Sequence, residues 1–180
     1  MKKLRFFVLM LIMILMCGIS IYSQPLKVKY ICLEKNPQSQ QIKFNLLLFN
    51  DSSVPVPLSE LKIRYYYSKE GLSNEEFHID YATIGSSNII GDFYRGYIEI
   101  SFKQDAGIIP NAGNSGEIQV RINMSDWTVY DQSNDHSFNP SLTEWGEYDR
   151  ITIFWKNTRV SGTEGYGEPI LSNVKPSPSP

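Results

Sequence analysis

The 180-residue chain is poor in cysteine and histidine, with two of each, and no segment carries a convincing 3.6-residue apolar period. Each shortage excludes something. Cys17 falls in an apolar leader, so Cys32 stands alone in the remainder and no internal disulfide can form. A small buried apolar side chain in a strand is the expectation for Cys32. His78 and His136 lack zinc-type spacing and have no Ser or Cys nucleophile motif beside them. The missing helical period argues against an α-helical domain. A basic excess is missing as well. Without Lys2, Lys3 and Arg5 of the leader, 14 basic residues face 19 acidic ones, a net charge of −5 that disfavours nucleic acid or an anionic membrane as partner.

The leader itself is informative. Lys2, Lys3 and Arg5 precede an apolar run from Phe6 to Ile21, the charged and apolar regions of a secretory signal. Residues 1–24 are therefore expected to be a signal peptide. The product is expected to be secreted and extracellular, free of the membrane after cleavage. Only Ser20 and Ser23 offer small residues near the cut, and the run approaches the length of a short span, so an uncleaved anchor and attachment at the cell surface stay open. Leu15-Met16-Cys17-Gly18 resembles a lipoprotein cleavage box except for the bulky Met16.

Roughly 155 residues remain, enough for one domain with its own core. Residues 25–164 are assigned to that domain. Residues 165–180, ending Lys175-Pro-Ser-Pro-Ser-Pro180, read as a stiff Pro/Ser linker to a further catalytic or scaffold domain. Within the domain, short period-2 runs predict strands at Leu26–Leu33, Gln41–Phe49, Leu61–Tyr67, Glu76–Ala82, Tyr97–Phe102, Gly116–Met124 and Arg150–Trp155. The fold class is all-β, an antiparallel β-sandwich. Alternation assigns Ile42, Phe44, Leu46 and Leu48 to the core. In Arg64-Tyr65-Tyr66-Tyr67, Tyr66 points opposite to its neighbours, so at least one ring is expected on an outer or groove-lining surface.

Residues Ser125 to Phe138 compress a flat aromatic and three oxygen ligands into one loop. Trp127 offers an apolar face, while Asp131, Asn134 and Asp135 have the donor chemistry for a hard cation or, alternatively, for capping local turns. Glycoside cleavage would need a pair of carboxylates, and Glu75 and Glu76, adjacent on a strand, point to opposite faces. The chain is expected not to be an enzyme.

In order along the chain, Leu26-Lys-Val-Lys-Tyr30 with Asn36-Pro37, Leu58-Ser-Glu-Leu-Lys-Ile-Arg-Tyr-Tyr-Tyr67, Tyr97-Ile-Glu-Ile-Ser-Phe102, Asp126-Trp127 and Tyr130-Asp-Gln-Ser-Asn-Asp-His-Ser-Phe138 resemble the family 3 carbohydrate-binding modules of cellulosomal scaffold proteins and cellulases. The resemblance implies a jelly-roll sandwich of about nine strands and a flat face for cellulose or another β-glucan. It implies a ligand row of Trp127, Arg121, its partner Asp80, and Tyr81 where relatives commonly have histidine. Asn36, Gln119 and Gln40 would be polar anchors. It also implies a structural calcium held by Ser68 and Glu70 from one loop and Asp131, Asn134 and Asp135 from another. Two departures stand out. The Ile84–Gly91 loop is short and lacks the family's tyrosine, which Tyr94 would replace only if the loop folded back, and Thr158–Gly162 lacks a tryptophan. A module that has lost its ligand and packs on a catalytic domain or a surface partner is the alternative.

Overall fold

The computed structural model describes residues 25–165. The proposed signal, and the Pro/Ser segment beyond Gly165, lie outside the described residues. Among those described, nine strands have four or more residues: β1 Leu26–Cys32, β2 Gln41–Asn50, β3 Leu61–Tyr66, β4 Glu75–Ala82, β5 Ile89–Tyr94, β6 Tyr97–Phe102, β7 Ile118–Met124, β8 Ile151–Trp155 and β9 Thr158–Ser161. All seven strands expected from alternation are present. Tyr67 falls just outside β3, and β7 begins at Ile118 rather than Gly116.

Every pairing is antiparallel. One sheet runs β1-β2-β7-β4, with Gly146–Glu147 added beside β1, and the other runs β9-β8-β3-β6-β5. The chain crosses between sheets at β2–β3, β3–β4, β4–β5, β6–β7 and β7–β8, a jelly-roll winding. Alternation explains the packing: Leu26, Val28, Tyr30 and Cys32 of β1 and Ile42, Phe44, Leu46 and Leu48 of β2 are all buried, as are Ile98, Ile100 and Phe102 from the other sheet. Phe44 and Tyr65 stack across the two sheets with ring centroids 4.2 Å apart. Cys32 is buried, as expected, and its thiol donates to the Glu34 carbonyl.

Three expectations need correction. No ring of the Tyr65–Tyr67 triplet is exposed. Tyr66 does point away from Tyr65, but His136 meets its ring edge-on, Thr152 bonds its hydroxyl at 2.8 Å, and Gly165, assigned above to the linker, packs against it. The Ile84–Gly91 segment is a loop only to Asn88, because Ile89–Tyr94 is an edge strand paired with β6. Its Gly91 obscured the pattern, and that glycine is required: a Cβ there would run into the Phe77 ring. Tyr94 consequently lies on the second sheet, stacked on Tyr97 at 5.1 Å, and does not fold back toward Asp80.

Candidate functional site

The outer surface of the β2-β7-β4 sheet gathers most of the ligand residues expected above. In β7, Ile118, Val120 and Ile122 are buried, which leaves Gln119, Arg121 and Asn123 on the outer side at steps of roughly 7 Å. β4 pairs Tyr81 with Gln119 and Ile79 with Val120, so Asp80 is an extra residue, a bulge. Strict alternation would put Asp80 and Tyr81 on opposite faces. The bulge turns both outward, where both are exposed.

Arg121 grips Asp80 in a forked contact, with Nε 3.1 Å from both carboxylate oxygens and Nη2 2.9 Å from Oδ1. Hydrogen bonding from Arg121 holds the Asp80 carboxyl below its ordinary value. Arg121 Nη1 also donates to Asn123 Oδ1, and Asn123 Nδ2 donates to Glu76. Gln119 donates its amide to Glu117 Oε1, which also accepts from Asn45 at 2.6 Å. Its amide nitrogen is thereby occupied and its carbonyl oxygen is the free end.

Trp127 follows β7 in a tight turn, its N–H donating to the Met124 carbonyl, and its side of the loop is half exposed at 47%. Its φ of 60° is left-handed, an uncommon backbone for a bulky residue. Gln40 donates its side-chain amide to the Trp127 carbonyl at 3.0 Å. Tyr81 and the Asp80–Arg121 fork thus occupy successive outward positions of the β4-β7 pair, and Trp127 follows in the turn beyond the end of β7. Asn36 stands apart on the β1–β2 loop, where its side chain accepts from Gln38 N–H and its carbonyl accepts from Gln132. The bulge, the Glu117 lock on Gln119 and the Gln40 contact were not visible from residue spacing.

The residues assigned to calcium are drawn from two loops that do meet. Ser68 N–H donates to Asp135 Oδ1 at 2.7 Å. Asp135 Oδ2 and Glu70 Oε2 are enclosed and have no hydrogen-bond partner. Burial pushes both carboxyls up, Asp135 to about 7, with the charges of Glu70 and Asp131 adding to the shift of Asp135 and those of Asp131 and Glu75 to that of Glu70. Two enclosed acid oxygens without donors are the chemistry a hard cation satisfies. The Asp131 carboxylate accepts from Ser133 N–H and hydroxyl through Oδ1, while its charge acts on both Glu70 and Asp135, and Asn134 is exposed on the following turn. Among the described residues no three His, Cys, Asp or Glu side chains cluster for a metal. A cation here would therefore draw on carbonyl, hydroxyl and amide oxygens beside Glu70 and Asp135.

Glu75 and Glu76 point to opposite faces, as the strand geometry requires. Glu75 accepts from the buried Tyr67 and Tyr130 hydroxyls, whereas Glu76 faces Asn123. His78 lies on the outer side beside Glu76, and His136 bonds the Thr163 carbonyl.

The family model described as "Cellulose binding domain" matches residues 27–162. An exoglucanase-2 from Thermoclostridium stercorarium is 36% identical over an alignment of 142 residues that covers 72% of this chain and 15% of that enzyme. The chain therefore spans only a small part of that relative. Among solved structures, the CBM3b module of the cellulosomal cellobiohydrolase 9A from Clostridium thermocellum superposes with a TM-score of 0.74 at 34% identity, covering 77% of this chain and 96% of that one. Biomass sensing modules of Rsgi-like proteins from the same organism superpose with a TM-score of 0.72 at 29% identity, covering 78% and 98%.

Proposed function

This chain belongs to the cellulose binding domain family, whose members are non-catalytic carbohydrate-binding modules, and from that premise we propose that it binds cellulose or a related β-glucan through the outer β4-β7 face. The observation that carries the reading is the outward placement of Tyr81 and the Asp80–Arg121 fork on the β4-β7 pair, with the half-exposed Trp127 in the turn that follows β7. Pyranose rings present axial C–H groups that stack on flat aromatic faces, while the fork and the free Gln119 carbonyl meet hydroxyls. With Tyr94 on the other sheet, the row holds two rings, which favours a shorter contact than a three-ring row makes. The enclosed Glu70 and Asp135 oxygens support a structural calcium in the neighbouring cage.

In this reading the leader exports the chain, and the Pro/Ser segment joins the module to a further domain, so that binding targets a secreted protein to plant cell-wall polysaccharide. The similar proteins include both glucanases and biomass sensors, so either kind of host fits. The test is retention on microcrystalline cellulose of the chain and of Trp127→Ala. Retention lost on substitution supports the site; a wild type that is not retained overturns cellulose binding; retention indifferent to the substitution overturns the placement.

A further inference from the structure

Trp127 is held from two sides, and both holds trace back to the same place. The first comes from the loop between β3 and β4, which supplies Ser68 and Glu70 to the cage. Further along that loop, Ser73 Oγ donates to Asp126 Oδ2, Asn74 accepts from Ser125 N–H at 2.8 Å, and Gly71 lies against the Thr128 side chain. The other oxygen of Asp126 accepts from Thr128 N–H at 3.1 Å and from its hydroxyl at 2.8 Å. Both Asp126 oxygens are thus engaged immediately beside Trp127.

The second hold begins in the loop that supplies Asp135. Tyr130 and Asp131 pair with Ser39 and Gln38, and the buried Gln132 bonds the Pro37 and Asn36 carbonyls through its N–H and its amide. The Asn36–Ser39 strip is thereby fastened to the cage loop, and the next residue, Gln40, donates to the Trp127 carbonyl. A bulky residue stays in left-handed backbone only where its surroundings over-determine it. Here the two clamps do so, and the two loops behind them meet at Ser68, Glu70 and Asp135.

We propose that Ser73 and Gln40 are positioning residues for Trp127, and that a divalent cation between Glu70 and Asp135 tightens the clamp, coupling cation binding to glucan binding. The proposal rests on Trp127 being the stacking platform and on the cage accepting a cation. Without the ion, the enclosed Glu70 and Asp135 oxygens have no partner, and the two loops are joined there by the Ser68–Asp135 hydrogen bond. With it, the loops draw together, and with them the segments that fix Asp126 and the Trp127 carbonyl. Coupling of this kind is reciprocal, so a bound glucan raises cation affinity by the same factor.

The experiment uses the full chain with calcium as the cation and microcrystalline cellulose as the glucan. Ser73→Ala and Gln40→Glu are each expected to lower retention about fivefold, the loss of one positioned hydrogen bond, with melting temperature close to wild type. Ser73→Thr, which keeps the hydroxyl, is expected to restore retention. The emission of Trp127, isolated by subtracting the spectrum of Trp127→Phe, is expected to shift on chelation and return with calcium, and to do so much less in a variant carrying both Ser73→Ala and Gln40→Glu. If both variants bind like wild type while Trp127→Ala does not, the clamp is wrong and the platform stands. If Trp127→Ala itself binds normally, the platform reading falls. Calcium that changes neither emission nor retention overturns the coupling. Should either alanine or glutamate variant melt early, failure of Ser73→Thr to rescue retention overturns the positioning role.

Discussion

Asp80 and Arg121 meet edge to edge across the β4-β7 pair, and the extra residue of the bulge is the aspartate itself. The guanidinium fork fixes a planar group between Tyr81 and Trp127, on a surface where both partners remain accessible to a ligand.

Asp80→Ala is expected to separate binding from stability. An accessible ion pair contributes about 0–1 kcal/mol to folding, so melting is expected to move little. Retention on cellulose is expected to fall about tenfold, because Arg121 loses its orientation. Arg121→Lys keeps the charge but not the fork and is expected to behave like the alanine variant rather than the wild type. Since Arg121 lowers the Asp80 carboxyl, the pair is retained as pH falls to about 4 and is lost only below the ordinary carboxylate range. A pull-down across pH 3 to 7 checks this.

Tyr81 contributes a ring face, half exposed, beside Gln119. Tyr81→Phe and Tyr81→His are expected to bind within about threefold of wild type, and Tyr81→Ala about tenfold more weakly, because stacking needs a flat ring rather than the hydroxyl. Isotherms on cellulose that rank phenylalanine with alanine would contradict this.

Calcium is expected to raise the melting temperature, and the increment is expected to grow with pH. Asp135, pushed up from 3.8 to about 7 by burial, favours its protonated form in the fold. Its contribution is fully present below 3.8 and is lost as pH rises through about 7, and the upward shift of Glu70 has the same sign. The cation-free chain is therefore expected to melt lower at pH 8 than at pH 5. Calcium at about 100 times its dissociation constant adds ~2.7 kcal/mol, or about 5–10 °C for a domain of this size. Calorimetry with chelator or calcium at both pH values measures the difference, and Asp135→Asn is expected to reduce it to the smaller share left by Glu70.

Gly162→Ala is expected to lower the melting temperature by about 5–10 °C. Its φ is 82°, and an added Cβ would collide with the Ile151 carbonyl at the β8–β9 edge. A thermal scan that left the transition unmoved would show that the edge yields more easily than its geometry implies.

The sandwich was legible because β1, β2, β3, β6, β7 and β8 place buried apolar residues at alternate positions, even where the residues between them are covered as well. Two strands escaped: β5 carries Gly91 at its centre and reads as loop, and Thr158-Arg-Val-Ser161 is an edge with a single apolar residue. The site divides along the same line. Trp127, Asp80, Tyr81 and Arg121 were named by resemblance, but their shared face depends on a bulge, which is a fact of pairing and leaves no mark in residue spacing. Gln40 was named as an anchor for ligand, and its amide turned out to grip Trp127, a partner 87 positions away. Asp131 was counted among the calcium ligands, and one of its oxygens also caps Ser133, a local contact that residue spacing does not reveal.

The bulge at Asp80 gives this face the character of a template whose pitch is cut in the backbone. Side chains along it can be exchanged one for another, altering how strongly each position grips. The interval between ring and fork, however, is set by one inserted residue in β4. Restoring regular pairing by deleting a single residue there would turn one of the two groups inward, so changes in what length of repeat this surface matches are accessible to insertions and deletions rather than to substitutions.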